Sequence, residues 1–478
     1  MIAALVLLVL LLASALVLGD AGRRDRCLMA AAGLTPVLLV AHIAGTSAFE
    51  SLLERPLVLG AFALVALVSV VALAALFVRV PSALPVAAVA ALPFRVPLAI
   101  GSSTANLLVP LYLVVGAGVV AYGWSRLRAG DGSEPRPPGW LERALAVVLV
   151  LYAAQATYSE DVDRAVENVV FFYAPFTLLF VLLARVAWTR RLALTSLGVL
   201  VGLALLLVGV GFVEYATRTL LLNPKVISSN QFEEYFRVNS LFFDPNIYGR
   251  FLALVMLAVG SVLVWTSRGR VVAGAAFVLA ALWAGLVLTF SQSSFSALLV
   301  GLAVLAGLRW NPRLALGTAA ALAAAGLAVV VLAPQLINLD ARSGEGLDNA
   351  TSGRYDLVVG GGRLAAARPA GGWGSGSFGR AFRREEAASE QQAVSASHTI
   401  PVTVAAEQGI PGLLAYLGLL GLAFARLGRG ARADPVRAFV LAAFAALVVH
   451  TLLYAAFLED PLTWALLGVG SALAPRRP

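Results

Sequence analysis

The sequence is short of most things a water-soluble enzyme uses. Only 13% of its 478 residues are charged, against about 25% in soluble domains. No polar stretch is long enough to build a core, which excludes tandem soluble domains. The single cysteine, Cys27, excludes a disulfide framework and a cysteine-based metal site. It reads as a small residue near a helix start. No HExxH, CxxC or Walker pattern occurs.

What is present is hydrophobic sequence, 60% of the chain. It falls into separate runs, each near the ~20 residues that cross a bilayer as a helix. The expected spans are 2–18, 28–48, 57–78, 84–101, 106–124, 142–158, 167–184, 192–212, 247–266, 271–290, 293–308, 314–334, 403–424, 438–457 and 461–474. Pro85, Pro93, Arg95 and Pro97 mark 84–101 as broken or re-entrant, and 461–474 is short. The expectation is an all-α polytopic membrane protein with roughly 13 to 15 transmembrane helices. The run 2–18 lacks a basic leader and is followed by a poor cleavage signal, Gly19-Asp20-Ala21, so it reads as a retained span.

The net charge of +9 comes from arginines in short clusters between spans, which does not suggest a nucleic-acid partner. Arg23/Arg24/Arg26, Arg126/Arg128/Arg136/Arg143, Arg185/Arg190/Arg191, Arg268/Arg270, Arg309/Arg313 and Arg426/Arg429/Arg432/Arg437 all fall on one side of these spans. The positive-inside bias makes that side cytoplasmic. Glu50/Glu54, Glu160/Asp161/Asp163 and Glu459/Asp460 fall opposite. The chain then divides into N-terminal spans (1–212), a first extracytoplasmic loop (213–246), central spans (247–334), a large extracytoplasmic loop (335–402) and C-terminal spans (403–478). The two polar loops share one face, so their residues can meet. No internal repeat is evident, which counts against repeat-built transporters.

Three groups of residues offer chemistry. His42 and His450 lie inside spans and read as polar residues facing the bundle interior. His398 sits at the end of the large loop, just before a helix that Ser397 or Thr399 can cap and whose first turn tolerates Pro401. A histidine there can accept a proton near neutral pH. Catalysis, ligand binding and a plain helix-end position all remain open for it. Arg237, Arg250 and Arg354 lie near the extracytoplasmic surface. A guanidinium suits phosphate and stays charged, while headgroup snorkelling is the simpler reading of each alone. Asp244-Pro245 reads as an N-cap and first helical residue before Asn246. The run Gly372 to Phe378 can bring backbone N–H groups to an anion, although flexible linkers look the same. The segment from about Ala365 to Ala396 reads as a lid or spacer. Glu407 is nine residues beyond His398, ~13 Å along a helix, and reads as a glutamate with a structural partner. Arg383-Arg384-Glu385-Glu386 reads as a solvated helical surface.

Taken in order, these motifs resemble the O-antigen ligase and polymerase family. Arg237 with Leu241-Phe242 and Asp244-Pro245-Asn246 is similar to its Arg…Phe…Pro-Asn signature. Leu288 to Ser294 resembles its Ser-Arg-rich span boundary. Ser352-Gly353-Arg354 resembles the arginine opening its large periplasmic loop, and Gly372 to Phe378 its glycine turn. Ser397-His398-Thr399 with Glu407-Gln408-Gly409 and Gly412-Leu413 is similar to its closing His-Asn…Glu-x-Gly-x-x-Gly-Leu motif. The resemblance covers about residues 235 to 424.

It implies a C-type glycosyltransferase-like fold in the bacterial cytoplasmic membrane, active on the outer face without metal or other cofactor. The donor it implies is an undecaprenyl diphosphate-linked glycan, and the acceptor is a hydroxyl on a glycan, lipid or other envelope molecule. By motif, His398 is then the base, and Arg237 and Arg354 hold the diphosphate. Arg250 is a further diphosphate contact, with Asn246 and Glu407 in support. The family's Ser-Arg pair is Ser291-Gln292 here, so one positive contact is absent or is supplied by Arg250. Thr399 stands where asparagine is common. The rivals are a repeat-unit polymerase using the same loops, a lipid-linked glycan transporter or flippase, and a relative that only binds. Polar residues near span centres in both leaflets favour a flippase; chemistry gathered on one face favours an enzyme.

Overall fold

A computed structural model describes residues 1–44, 49, 53–94, 96–100, 103–129, 137–221, 236–311, 313, 317, 354–386, 396–397 and 399–473. The expected span 314–334, apart from residue 317, and His398 lie outside the described residues. The helices, in chain order, are α1 (Ile2–Val17), α2 (Ala21–Ile43), α3 (Pro56–Arg79), α4 (Ala83–Ala91), α5 (Val109–Ala129), α6 (Trp140–Ala156), α7 (Val162–Ala184) and α8 (Arg190–Thr217). They continue with α9 (Pro245–Trp265), α10 (Gly269–Val287), α11 (Gln292–Arg309), α12 (Arg354–Ala367), α13 (Phe378–Glu385), α14 (Ile400–Leu427), α15 (Pro435–Leu453) and α16 (Pro461–Leu473). Among the described residues, nine helices are long and apolar enough to cross a membrane. The fold is an all-α polytopic membrane protein with one small exception.

The exception is the proline-rich run 84–101. It forms α4 and then β1 (Val96–Ile100), which pairs antiparallel with β2 (Ser103–Leu107), Ile100 opposite Ser103. The nine residues of α4 cover only ~13 Å of a ~30 Å hydrocarbon layer. The run is broken, as its prolines suggest.

Burial sorts the helices. Almost every residue of α9 from Pro245 to Ser261 is buried, and α7 is mostly enclosed. By contrast α3 exposes Leu57, Phe62, Leu64 and Val65, and α10 exposes Phe277. A helix that is apolar all round sits at the centre of a bundle or against lipid. The large core cluster joins α1, α6, α7, α9, α11, α14, α15 and α16.

The two ends of the bundle are chemically different. At one end Asp25 accepts from Tyr122, from Arg126 at 2.8 Å and from Arg185 at 3.3 Å. Arg309 donates to the Val264 carbonyl and stands over Trp265. At the other end lie Glu160, Asp161, Glu459 and Asp460, with the polar loops packed on them. The sequence clusters of arginine therefore gather around one end and the acidic connectors at the other.

Candidate functional site

The acidic end holds two built regions. The first is the junction where the lead-in to α9 meets the lead-in to α11. Asp244 caps α9 by accepting from the Asn246 N–H at 2.7 Å, with Pro245 at the first turn. Ser291 caps α11, accepting from the Ser294 N–H. Both are the residues that cap helices best.

The caps join into one network. Ser291 Oγ donates to Asn246 Oδ1 at 2.8 Å and lies 2.7 Å from Ser294 Oγ. His450 Nε2, on α15, is 3.2 Å from Ser293 Oγ and 3.4 Å from Ser294 Oγ. Arg237 completes it. Its Nε donates to the Thr289 carbonyl at 3.1 Å and its Nη2 reaches Asn246 Oδ1 at 3.4 Å. Arg237 is half-buried, whereas Ser291, Ser294 and His450 are fully buried. A connected buried network of this kind fixes its members.

The backbone at this junction is strained at two places. Ser240 has φ 52° and Phe290 φ 49°. Positive φ is a real outlier for a bulky residue such as phenylalanine and persists only where the surroundings over-determine it. Ser240 is held by its N–H on Glu214 at 2.7 Å and its hydroxyl on the Leu207 carbonyl. Val238 N–H bonds the Leu288 carbonyl. Arg237 is therefore carried on a rigid turn.

The second region is the glycine run. Gly372, Gly374 and Gly376 have φ of 67°, 94° and 78°, which only glycine adopts freely. A Cβ at Gly372 or Gly374 would strike the Glu407 backbone or Ser159. Trp373 N–H bonds the Ala406 carbonyl and Gly374 N–H the Glu407 carbonyl. The Glu407 carboxylate accepts from Gly376 N–H at 2.9 Å and Phe378 N–H at 3.1 Å. At Gly409, φ 65°, α14 is kinked, and the Pro369 carbonyl takes the Ile410 N–H there. Tyr158 and Gln155 from the end of α6 bond the Gly371 and Gln408 carbonyls.

This corrects two expectations. The run is not a linker, and the acid group its N–H groups meet is the chain's own Glu407 carboxylate, which takes those of Gly376 and Phe378. The described part of 365–396 is likewise no loose lid: Trp373, Phe378, Ala381 and Phe382 are buried in a small core with Leu357, Leu364 and Ala406. Glu407 has the structural partner expected of it. The surface helix α13 is more engaged than a solvated face, since Arg384 pairs with Glu160 at 2.9 Å and Arg380 with Asp161 at 3.5 Å.

The remaining residues divide as follows. Arg250 lies against Asp460 at 2.5 Å, both side chains within 2% of full burial; it is an interior ion pair in α9, away from the surface. Arg354 opens α12, and its side chain lies outside the described set. Ser397 and Thr399 are described on either side of His398. Ser397 Oγ takes the Thr399 N–H, and Thr399 Oγ1 donates to the Leu452 carbonyl at 3.1 Å. Neither side chain caps α14, whose N-cap Thr399 makes no such bond. Thr399 is thus tied to α15 two residues beyond His450. Sequence reasoning assigned no site role to His450, Ser293, Ser294 or Glu214; only the run of serines before α11 hinted at the junction.

The fold and these two regions define a polytopic membrane protein with its polar machinery at one end of the bundle. Residues 275–417 match the family described as O-antigen ligase, so that stretch is similar to an O-antigen ligase domain. The match includes Ser291 to Ser294, Arg354, the glycine run and Glu407, and stops short of Arg237 and His450. Among curated proteins no match is found.

Proposed function

We propose that the protein moves a glycan from an undecaprenyl diphosphate carrier to an acceptor hydroxyl at the outer face of the bacterial cytoplasmic membrane. The observation that carries this reading is Arg237. It is a half-exposed guanidinium locked by Thr289 and Asn246 on a strained turn. The same end of the bundle carries Ser397 and Thr399, the latter tied to α15.

In this reading His398 takes the proton of the acceptor hydroxyl. The acceptor oxygen attacks the anomeric carbon, the bond from that carbon to phosphate oxygen breaks, and the diphosphate leaves with its carrier. Charge develops on the leaving oxygen, and preorganised donors aimed at it stabilise the transition state. Arg237 and Arg354 fill that role and make a metal unnecessary. Arg250 is paired with Asp460, so it supports the reaction by holding α9 in place and the diphosphate contacts fall to the other two arginines.

The test is transfer by purified protein with a lipid-linked donor. His398→Ala lowers the rate by about 10²–10⁴-fold, the usual worth of a positioned base, while expression and membrane insertion persist. Full activity of that variant removes His398 from the mechanism. Loss of activity on chelation, restored by a divalent ion, removes the arginine-only account of the leaving group. A lengthened lipid-linked glycan as product identifies a polymerase; a glycan joined to another acceptor identifies a ligase.

A further inference from the structure

The basic end of the bundle contains a cleft that the transfer chemistry does not use. Its volume is about 540 Å³, within the ~300–1,000 Å³ of small-molecule sites. It runs between α8, α9, α15 and α16. Its mouth is formed by Trp188, Arg190, Trp265 and Arg268, and its depth by apolar residues as far as Phe251 and Leu462. From Trp265 to Phe251 along α9 is about 21 Å, more than the ~15 Å half-thickness of a hydrocarbon layer. Phe251 and Leu462 adjoin the buried Arg250–Asp460 pair, so the cleft ends beneath it.

Three features at the mouth point to one kind of occupant. Arg190 and Arg268 both line it and are exposed. Among the described residues no ion pair or side-chain hydrogen bond engages either guanidinium. α10 begins there without a side-chain cap, its N-cap being Arg268, and the Val271 and Val272 N–H groups bond the Arg268 carbonyl. An uncapped helix start beside two cations favours a phosphate. Independently, Ser196 lines the cleft, is 6% exposed, and its Oγ has no hydrogen-bond partner. A buried hydroxyl without a partner is costly, and a helical serine ordinarily bonds a carbonyl one turn back. Ser196 stands six residues into the membrane from Arg190, about 9 Å along the axis. The ester carbonyls of a glycerophospholipid lie on that side of its phosphate, toward the acyl chains. Trp188 and Trp265 at the rim are placed as interfacial aromatics are.

We propose that this cleft binds one anionic phospholipid from the leaflet at the basic end. Its phosphate sits on Arg190, Arg268 and the start of α10, an ester carbonyl accepts from Ser196, and one acyl chain fills the cleft. The site is separate from the transfer site and its test needs no donor.

Native mass spectrometry of the full chain in detergent, with phosphatidylglycerol or phosphatidylcholine of the same acyl chains, reads the binding directly. The wild type retains phosphatidylglycerol at least tenfold better. The double variant Arg190→Gln/Arg268→Gln brings phosphatidylglycerol down to the phosphatidylcholine level. The neighbouring Arg270→Gln, outside the cleft, leaves the preference intact, and Leu197→Trp, which fills the cleft, lowers retention of both lipids. Equal retention of the two lipids by the wild type overturns the proposal, as does a double variant that binds like wild type. Displacement of phosphatidylglycerol by inorganic phosphate alone makes this a free-anion site and overturns it. Displacement by undecaprenyl diphosphate at equal concentration assigns the cleft to the donor's tail and also overturns it.

Discussion

The junction around Arg237 and the plug formed by Gly372 to Phe378 are both rigid, and they are rigid by opposite means. The junction is held by side chains. Serine hydroxyls, an asparagine amide and a histidine ring bond one another, and the last member of the chain, Arg237, is left half-exposed. The plug is held by its backbone. Its N–H groups go to Ala406, the Glu407 carbonyl and the Glu407 carboxylate, and nothing polar is presented outward from its core. The first arrangement offers a charged group in a fixed place. The second closes the top of α6 and α14 and offers none. A glycine-rich loop and an arginine beside a serine run look equally suggestive in a sequence, and only the destination of their hydrogen bonds separates them.

The sharpest way to break this contrast is at the junction. Arg237→Ala removes a donor that is preorganised for charge on the leaving group, a loss of about 10²–10³ in turnover. Melting temperature in detergent changes little, because the network through Ser291 and Asn246 remains. Arg237→Lys recovers only part of the rate, since an ammonium cannot reproduce the fixed fork held by Thr289 and Asn246. A large drop in melting temperature with unchanged turnover per folded molecule reverses the assignment and makes Arg237 a structural residue.

The plug is expected to show the opposite profile. Glu407→Gln leaves one of two buried N–H groups facing an amide NH₂, a loss of about 1–3 kcal/mol of stability. Gly374→Ala forces φ 94° on an alanine and drives its Cβ into Ser159, a cost of at least about 1–3 kcal/mol. Both variants lower the melting temperature and the folded yield, and the turnover of the surviving folded fraction stays near wild type. If Glu407→Gln abolishes turnover with the melting temperature intact, the carboxylate is chemical and the plug is part of the reaction.

How far the sequence could carry this depends on separation along the chain. Helices and their starts are local, so Asp244-Pro245 announces the start of α9 and the apolar runs announce most spans. The broken stretch 84–101 is marked by its own prolines, although nothing local says that its second half pairs as a hairpin. The plug is legible only as glycines. Its partner Glu407 is 29 to 31 residues away, and positive φ looks the same in a linker as in a packed turn. His450 meets Ser293 across 157 positions, beyond any spacing argument, so it read as an interior polar residue. Arg250 looked like a surface cation because it follows a polar loop. Its partner Asp460 arrives from the far end of the chain and draws it inward, where an unpaired charge would be costly.

The smallest effect belongs to the outer surface of the plug and tests whether backbone or surface charge holds it. Arg368 lies 3.6 Å above the Trp373 ring and 3.2 Å from Glu160, with its side chain half exposed. An exposed ion pair contributes about 0.2–1 kcal/mol and a cation–π contact at an exposed site about 0.5–1 kcal/mol. Arg368→Gln therefore costs at most about 1–2 kcal/mol, and raising the salt concentration narrows the gap to wild type, because exposed charges are screened. The ring contact survives salt better than the ion pair, so part of the difference persists. An effect as large as that of Glu407→Gln, and fully abolished by salt, means that the charges on α12 and α13 hold the plug and that its backbone bonds follow from them.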